Sequence, residues 1–305
     1  MNKTENYHIP VLLKPSIDGL NIQPDKIYVD VTFGGGGHSK LISQKLNGSG
    51  HLYVFDQDAD SKKNLWSADN FTFISSNFKY ISNHLRALGV EKVDGILADL
   101  GVSSYQFNEF ERGFSFRSDA FLDMRMNKSS ELTASDVVNT YKEVDLVKLF
   151  REYGELNRAS KIAAVIVLKR EDSPIDSTHK LMRAIEHMAP AKKRNQFLAQ
   201  VFQALRIEVN NELDALKSLL SQSSELLNNE GRLVVMSYHS LEDRIVKNYL
   251  KKGSFSGVEE KDFFGHSKKP FNEINRKVIV ADEKELLTNP RSRSARLRIA
   301  VRNDR

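Results

Sequence analysis

The stretch Asp30-Val31-Thr32-Phe33-Gly34-Gly35-Gly36-Gly37-His38 decides how the rest of the chain is read. It takes in the end of a short apolar run, Ile27 to Val31, and it leads into a helical pattern with His38, Leu41, Ile42 and Leu46 on one face. A glycine-rich turn between a strand and a helix lets the backbone pass close to a ligand. The helix start then offers unpaired N–H groups to negative charge. Working outward, further strand signals run from His51 to Phe55, ending in Asp56, from Phe71 to Ile74, and from Asp94 to Ala98, ending in Asp99. Strands alternating with helices at this spacing predict a parallel sheet in a doubly wound α/β fold.

The alternation breaks after about residue 105. Tyr105 to Met126 is aromatic, charged and without period, and helical patterns then run from Asp145 to Lys169 and from Thr178 to Met188. Ala191 to Glu230 holds no Gly or Pro and repeats apolar residues from Leu198 to Leu227 at helical spacing, as one long helix or two joined end to end. Gly231 is expected to end it, with strands at Leu233 to Met236 and Leu297 to Val301. The expected architecture is a discontinuous Rossmann-like domain, residues 1–105 with 201–305, interrupted by a mainly helical domain, residues 106–200.

Composition narrows the function. The chain has 305 residues, 45 Lys+Arg against 40 Asp+Glu for a net +5, and 40% hydrophobic residues, enough for a packed core. There is no cysteine, which excludes disulfide scaffolds, thiolate catalysis and Cys-type metal sites and fits a reducing cytoplasm. The longest apolar run, Ile162 to Leu168, is far short of the roughly 20 residues of a membrane helix. The start of the chain carries Glu5 and no long apolar stretch, so no secretory signal is expected. Basic residues gather late: Arg291 to Arg305 holds six Arg and one acid. That suits a polyanion such as RNA, although on charge alone a solvated tail is the simpler reading.

Asp56 lies where a doubly wound fold places a carboxylate to hold ribose hydroxyls, so the ligand is expected to contain a nucleoside. A dinucleotide fingerprint takes Gly34 and Gly36, but its third glycine position is Ser39. S-adenosylmethionine sites instead combine a glycine-rich loop with acids at the ends of the first, second and fourth strands, and Asp30, Asp56 and Asp99 supply them. A glycine turn with no ligand is the plain alternative for the loop taken alone. Asp56-Gln57-Asp58-Ala59-Asp60 opens like a calcium loop but has Ser61 and Ser67 where Gly and Glu are needed. No His-Glu-x-x-His pair is present either, so no metal is expected.

Seven blocks carry a more specific likeness: Thr32-Phe-Gly-Gly-Gly-Gly-His-Ser39, Asp94-Gly-Ile-Leu-Ala-Asp-Leu-Gly-Val-Ser-Ser104, Glu111-Arg-Gly-Phe-Ser-Phe116, Leu122-Asp-Met-Arg-Met126, Phe202-Gln-Ala-Leu-Arg-Ile207, Ser237-Tyr-His-Ser-Leu-Glu-Asp-Arg-Ile-Val-Lys247 and Asn289-Pro-Arg-Ser-Arg-Ser-Ala295. In this order they resemble the bacterial ribosomal RNA small subunit methyltransferase H family, which methylates the exocyclic N4 of a cytidine in small-subunit rRNA. The resemblance implies S-adenosylmethionine as cofactor and the assembled small subunit as partner. It implies that Gly36, Gly37 and His38 wrap the methionine part, Asp56 holds the ribose, Phe78 lies beside the adenine, and Asp99 and Gln106 contact the cofactor near the transferred methyl. It also implies that the inserted domain helps shape the RNA site.

The chain departs from the family where a His-Pro-x-x-Arg stretch has become Asn195-Gln-Phe-Leu-Ala-Gln-Val201, and where Tyr238 replaces a common Phe. No residue is assigned as the catalyst. Many amino methyltransferases hold the amine with an Asn/Asp-Pro-Pro-aromatic turn, and this chain has Asp99-Leu-Gly-Val in that place. His239 contacts the target base, fixes a neighbouring loop, or is a satisfied structural histidine. Phe110, Phe114 and Phe116 with Arg112, Arg117 and Arg125 either stack and hold unpaired RNA or pack the start of the inserted domain. Arg291, Arg293 and Arg296 are expected to touch phosphates. Two rivals stand: a nicotinamide dehydrogenase, which would bind NAD, and an assembly factor that binds RNA without methylating it.

Overall fold

The computed structural model describes residues 10–103, 106, 109–259, 261, 265 and 269–303. Glu5, Ser104, Tyr105, Asp304 and Arg305 lie outside the described residues. The chain divides into two compact units, residues 1–101 with 213–305, and residues 102–212.

The first unit carries seven strands: β1 (Ile27–Asp30), β2 (His51–Asp56), β3 (Phe71–Ser75), β4 (Val93–Asp99), β5 (Leu227–Ser237), β6 (Phe271–Glu273) and β7 (Arg296–Arg302). They form one sheet in the order β3-β2-β1-β4-β5-β7-β6. The first five are mutually parallel, while β7 runs antiparallel to β5 and β6 antiparallel to β7. This is the Rossmann-like α/β class expected from the sequence.

Parallel strands covered on both faces need apolar side chains on both, and the middle of β4, Ile96 to Ala98, shows it. Ile96 and Ala98 point to one face, with Val29, Leu233 and Val235, where Ile81, Leu85, Leu216, Leu219 and Val246 cover them. Leu97 points to the other, with Leu52, Val54 and Val234, under Ile17, Leu20, Ile42 and Leu46. Each fully buried aliphatic side chain contributes about 1.5–3 kcal/mol relative to exposure. The strand order reverses between β1 and β4, so the carboxyl ends of these strands open the crevice in which such sheets bind ligands.

The helical stretch after Ala191 is two helices, Arg194–Asn210 and Glu212–Leu226, separated by Asn211 in the left-handed region at φ 49°. The second ends before Gly231, because Leu227 already pairs with Val93 at the start of β5. Register then jumps, with Gly95 opposite Arg232, and Asn228 Nδ2 pins the bulge by donating to Asp94 Oδ1 at 2.9 Å.

The second unit packs helices Ala134–Thr140, Glu143–Glu152, Ala159–Asp172, Thr178–Ile185 and Arg194–Asn210 around Phe150, Ile162, Leu181, Leu198 and Leu205. The division falls at 212/213, where the sequence reading places it at 200/201. The cause is local: Phe197, Leu198, Val201, Phe202 and Leu205 bury one continuous helix face in this core. Within the altered stretch 195–201, Phe197, Leu198 and Val201 are the buried packing positions, and Asn195, Gln196 and Ala199 are exposed.

Candidate functional site

Three carboxylates close β1, β2 and β4. Asp30 is buried; its Oδ2 accepts the Ser39 hydroxyl at 2.6 Å and its Oδ1 accepts the Thr32 N–H at 3.0 Å. Burial pushes its carboxyl up, against these donors. Asp56 accepts the Gly34 N–H on Oδ2 and the Asp58 N–H on Oδ1, each at 2.8 Å. Burial drives its carboxyl up to about 6, and those two backbone donors pull the other way. Asp99 is likewise pushed to about 6 by burial, opposed first by nearby His38 and then by the hydroxyl of Tyr238. Tyr238 donates to Asp99 Oδ1 at 2.8 Å, and His38 Nδ1 stands 3.9 Å from Oδ2. Thr32 joins two of the acids: its hydroxyl accepts the Asp99 N–H at 2.7 Å and donates to Asp30 Oδ1 at 3.3 Å.

The glycine loop follows from contacts that exclude side chains. Gly36 caps the helix Gly37–Leu46 in the left-handed region at φ 74°, with the Phe33 ring 3.0 Å from where a Cβ would stand. A Cβ on Gly37 would lie 2.2 Å from Pro10 Cγ. At Gly35, by contrast, no atom of the described residues lies within 4 Å of that position, so the loop is open there. His38 is buried, with Nε2 3.2 Å from the Val11 carbonyl oxygen.

Of the other expected contacts, Phe78 sits half-buried on the turn after β3. Asn77 begins that turn and donates to Gln57 Oε1 at 2.8 Å, tying it to the end of β2. Gln106 belongs to the second unit, where it is buried and its Oε1 accepts the Ser103 N–H at 3.0 Å. The first unit thus brings together the glycine loop, His38, Asp56 and Asp99. Within the calcium-like run, Asp58 Oδ1 accepts the Asp60 N–H at 3.1 Å in a local turn, and Asp60 pairs with Lys63 at 2.9 Å.

Sequence reasoning passed over three residues. Ser39 counted only as a missing glycine, Thr32 only as a loop residue, and Tyr238 only as a departure. A hydroxyl two and nine positions after a strand-end acid was the available signal for the first two. His239 caps the helix Ser240–Lys252, its Nδ1 accepting the Glu242 N–H at 3.4 Å while Glu242 accepts back. That is a structural role, at the start of its own helix. In the aromatic stretch, Phe114 is buried and Phe116 meets Phe202 edge-on at 5.5 Å. Arg112 is buried and donates to the Arg125 and Met126 carbonyls, and Arg125 pairs with Asp123 at 2.7 Å. Phe110 and Arg117 are the exposed members of that set.

The late arginines differ from one another. Arg296 and Arg298 share Asp243, at 3.0 and 2.8 Å, while Arg293 is exposed. Arg293, Arg296 and Tyr238 line a cavity of about 220 Å³ beyond the carboxyl end of β5. No helix among the described residues is long and apolar enough to cross a membrane.

Residues 5–303 match the MraW methylase family. The chain is 55% identical over 294 residues to the ribosomal RNA small subunit methyltransferase H of Phocaeicola vulgatus, covering 96% of this chain and 97% of that one. It is 54% identical over 301 residues to the protein of that name from Bacteroides thetaiotaomicron, covering 98% and 99%. With the strand-end acids and glycine loop set in one crevice and the likeness running the length of both chains, this protein belongs to the MraW methylase family, that of the ribosomal RNA small subunit methyltransferases H.

Proposed function

We propose that this protein transfers a methyl group from S-adenosylmethionine to the exocyclic N4 of a cytidine in small-subunit ribosomal RNA, acting on the assembled small subunit. The cofactor is S-adenosylmethionine, which supplies an electrophilic methyl for direct displacement. The observation that carries the reading is the set of carboxylates ending β1, β2 and β4 around an open glycine turn.

The residues present fit that cofactor. Asp56 spends one lone pair of each oxygen on Gly34 and Asp58, and a carboxylate has about four acceptor sites, so acceptors remain for two ribose hydroxyls. Gly35 is exposed, and no described atom lies within 4 Å of where its Cβ would stand, so a ligand can approach the backbone there. In this reading Gly36, Gly37 and His38 wrap the methionine part, Phe78 lies beside the base, and Asp99 contacts the cofactor near the methyl. Asp99, ionised at neutral pH with a pKa of about 6, sets negative charge where a sulfonium needs it. A cytosine amine is a weak nucleophile, so holding it in line is the main task, and positioning supplies up to about 7–11 kcal/mol of such a barrier. Arg293, beside the cavity at the end of β5, is placed to take an RNA phosphate.

Incubation with labelled S-adenosylmethionine and small subunits that lack the modification, followed by nucleoside mass spectrometry, tests this. N4-methylcytidine at one position is expected. A label on carbon 5 or on a ribose oxygen would overturn the chemistry, and bound cofactor with no methylated nucleoside would favour the assembly-factor reading.

A further inference from the structure

We propose that Tyr238 is a positioning residue for methyl transfer, its hydroxyl holding one oxygen of Asp99 and leaving the other as the acceptor that faces the cofactor. This rests on the reading of Asp99 as a cofactor contact.

The geometry is specific. Tyr238 follows the last residue of β5, and its ring packs with the cluster beneath the sheet that contains Leu97 and Met236. Its hydroxyl reaches across to the end of the neighbouring β4 and donates to Asp99 Oδ1 at 2.8 Å. The Asp99 main chain is held separately, its N–H on Thr32 Oγ1 at 2.7 Å, while the Leu100 N–H bonds the Met236 carbonyl at 3.0 Å. With the backbone fixed on both sides and one carboxylate oxygen pinned, the side chain keeps a single orientation. The second oxygen has His38 Nδ1 at 3.9 Å, beyond a good hydrogen bond, so it retains its capacity to accept.

The arrangement also sets charge. Asp99 is faced by His38 from the helix Gly37–Leu46, by Asp30 from β1, and by Tyr238 and Glu242 from the end of β5 and the helix after it. Burial and two of these neighbours favour the neutral acid; the Tyr238 hydroxyl and His38 favour the carboxylate. Burial and the negative charge of Asp99 raise the phenol, so it stays protonated and donates throughout the neutral range. The same ring forms a wall of the cavity shared with Arg293 and Arg296, so replacement by Phe removes the donor and keeps the wall.

The test is calorimetric binding of S-adenosylmethionine to the full-length protein, Tyr238→Phe and Asp99→Asn, between about pH 5.5 and 8.5. Loss of a donor to a carboxylate raises its pKa. Tyr238→Phe is then expected to bind about threefold more weakly than wild type at about pH 6.5 and equally well at about pH 8.5. The contribution of Asp56 is common to both proteins and cancels in that ratio. Uniform weakening at every pH would mark Tyr238 as merely structural and overturn the proposal, as would an unchanged profile. Asp99→Asn separates the two readings: if it binds as wild type does, the cofactor role of Asp99 fails; if it binds at least tenfold more weakly while Tyr238→Phe is unchanged, only the Tyr238 proposal fails.

Discussion

Asp56, which closes β2, accepts the Gly34 N–H at 2.8 Å, so the acid that ends one strand also holds the loop that follows another. One side chain thereby sets the loop geometry and offers its remaining acceptors to a ligand. Asp56→Asn keeps the volume but turns a donor towards one of the two backbone N–H groups. Cofactor affinity is expected to fall at least tenfold, with a stability loss of about 1–3 kcal/mol from the unpaired donor. Calorimetric titration and denaturant unfolding of the variant read the two effects separately.

The glycines divide by what surrounds them. Gly37→Ala places a methyl 2.2 Å from Pro10 Cγ and is expected to destabilise the fold by about 1–3 kcal/mol through overpacking. Gly35→Ala meets no atom of the described residues within 4 Å, so its unfolding midpoint should stay near wild type while cofactor binding falls. Equal midpoints for the two variants would show that the Pro10 contact does not constrain the loop.

Asp56 and Asp99 both stand at about 6, raised by burial. Ribose hydroxyls and a sulfonium favour the ionised forms, so cofactor affinity should decline as pH falls through about 6, with protons released on binding near that pH. For the unliganded fold the sign is opposite. A carboxyl raised above its ordinary 3.8 contributes stability that is present below that value and lost as pH rises through about 6. Titrations in buffers of different ionisation enthalpy measure the released protons.

Arg293 and Arg296 differ in what they have left to give. Arg293→Ala should lower the salt dependence of RNA binding by about one unit of slope. Arg296 already shares Asp243 with Arg298, so Arg296→Ala should change the slope less. Binding to small-subunit RNA across a salt series compares them, and equal changes would place both side chains on phosphates.

His239 acts as a helix cap, and Asn is a strong capping residue. His239→Ala should lose about 1 kcal/mol of stability and His239→Asn should recover it. Methyl transfer by the Asn variant near the wild-type rate is expected; its loss would assign the imidazole to the base instead.

Much of the site was legible because its elements are local. Asp30, Asp56 and Asp99 each end an apolar run, and in a parallel sheet the ends of such runs fall on one edge. What escaped depends on partners remote in sequence. Tyr238 and Asp99 are 139 positions apart, and only the pairing of β4 with β5 brings them within 2.8 Å. The break at Asn211 leaves no mark in a stretch whose apolar spacing continues across it, since one left-handed residue redirects the chain without altering composition. The short β6 shows no period of its own in three residues; it exists because β7 offers an edge.

By itself, then, the sequence determined the class of the fold, the acids at three strand ends, the glycine turn and, through seven ordered blocks, the family. Periodicity and strand-end position are properties of contiguous residues, so they survive without coordinates. The tertiary structure alone decided the distant partnerships of the acids: Gly34 on Asp56, and Thr32 and Tyr238 on Asp99. Hydrogen bonds act over about 3 Å, and only strand pairing and packing bring groups so far apart in sequence to that distance.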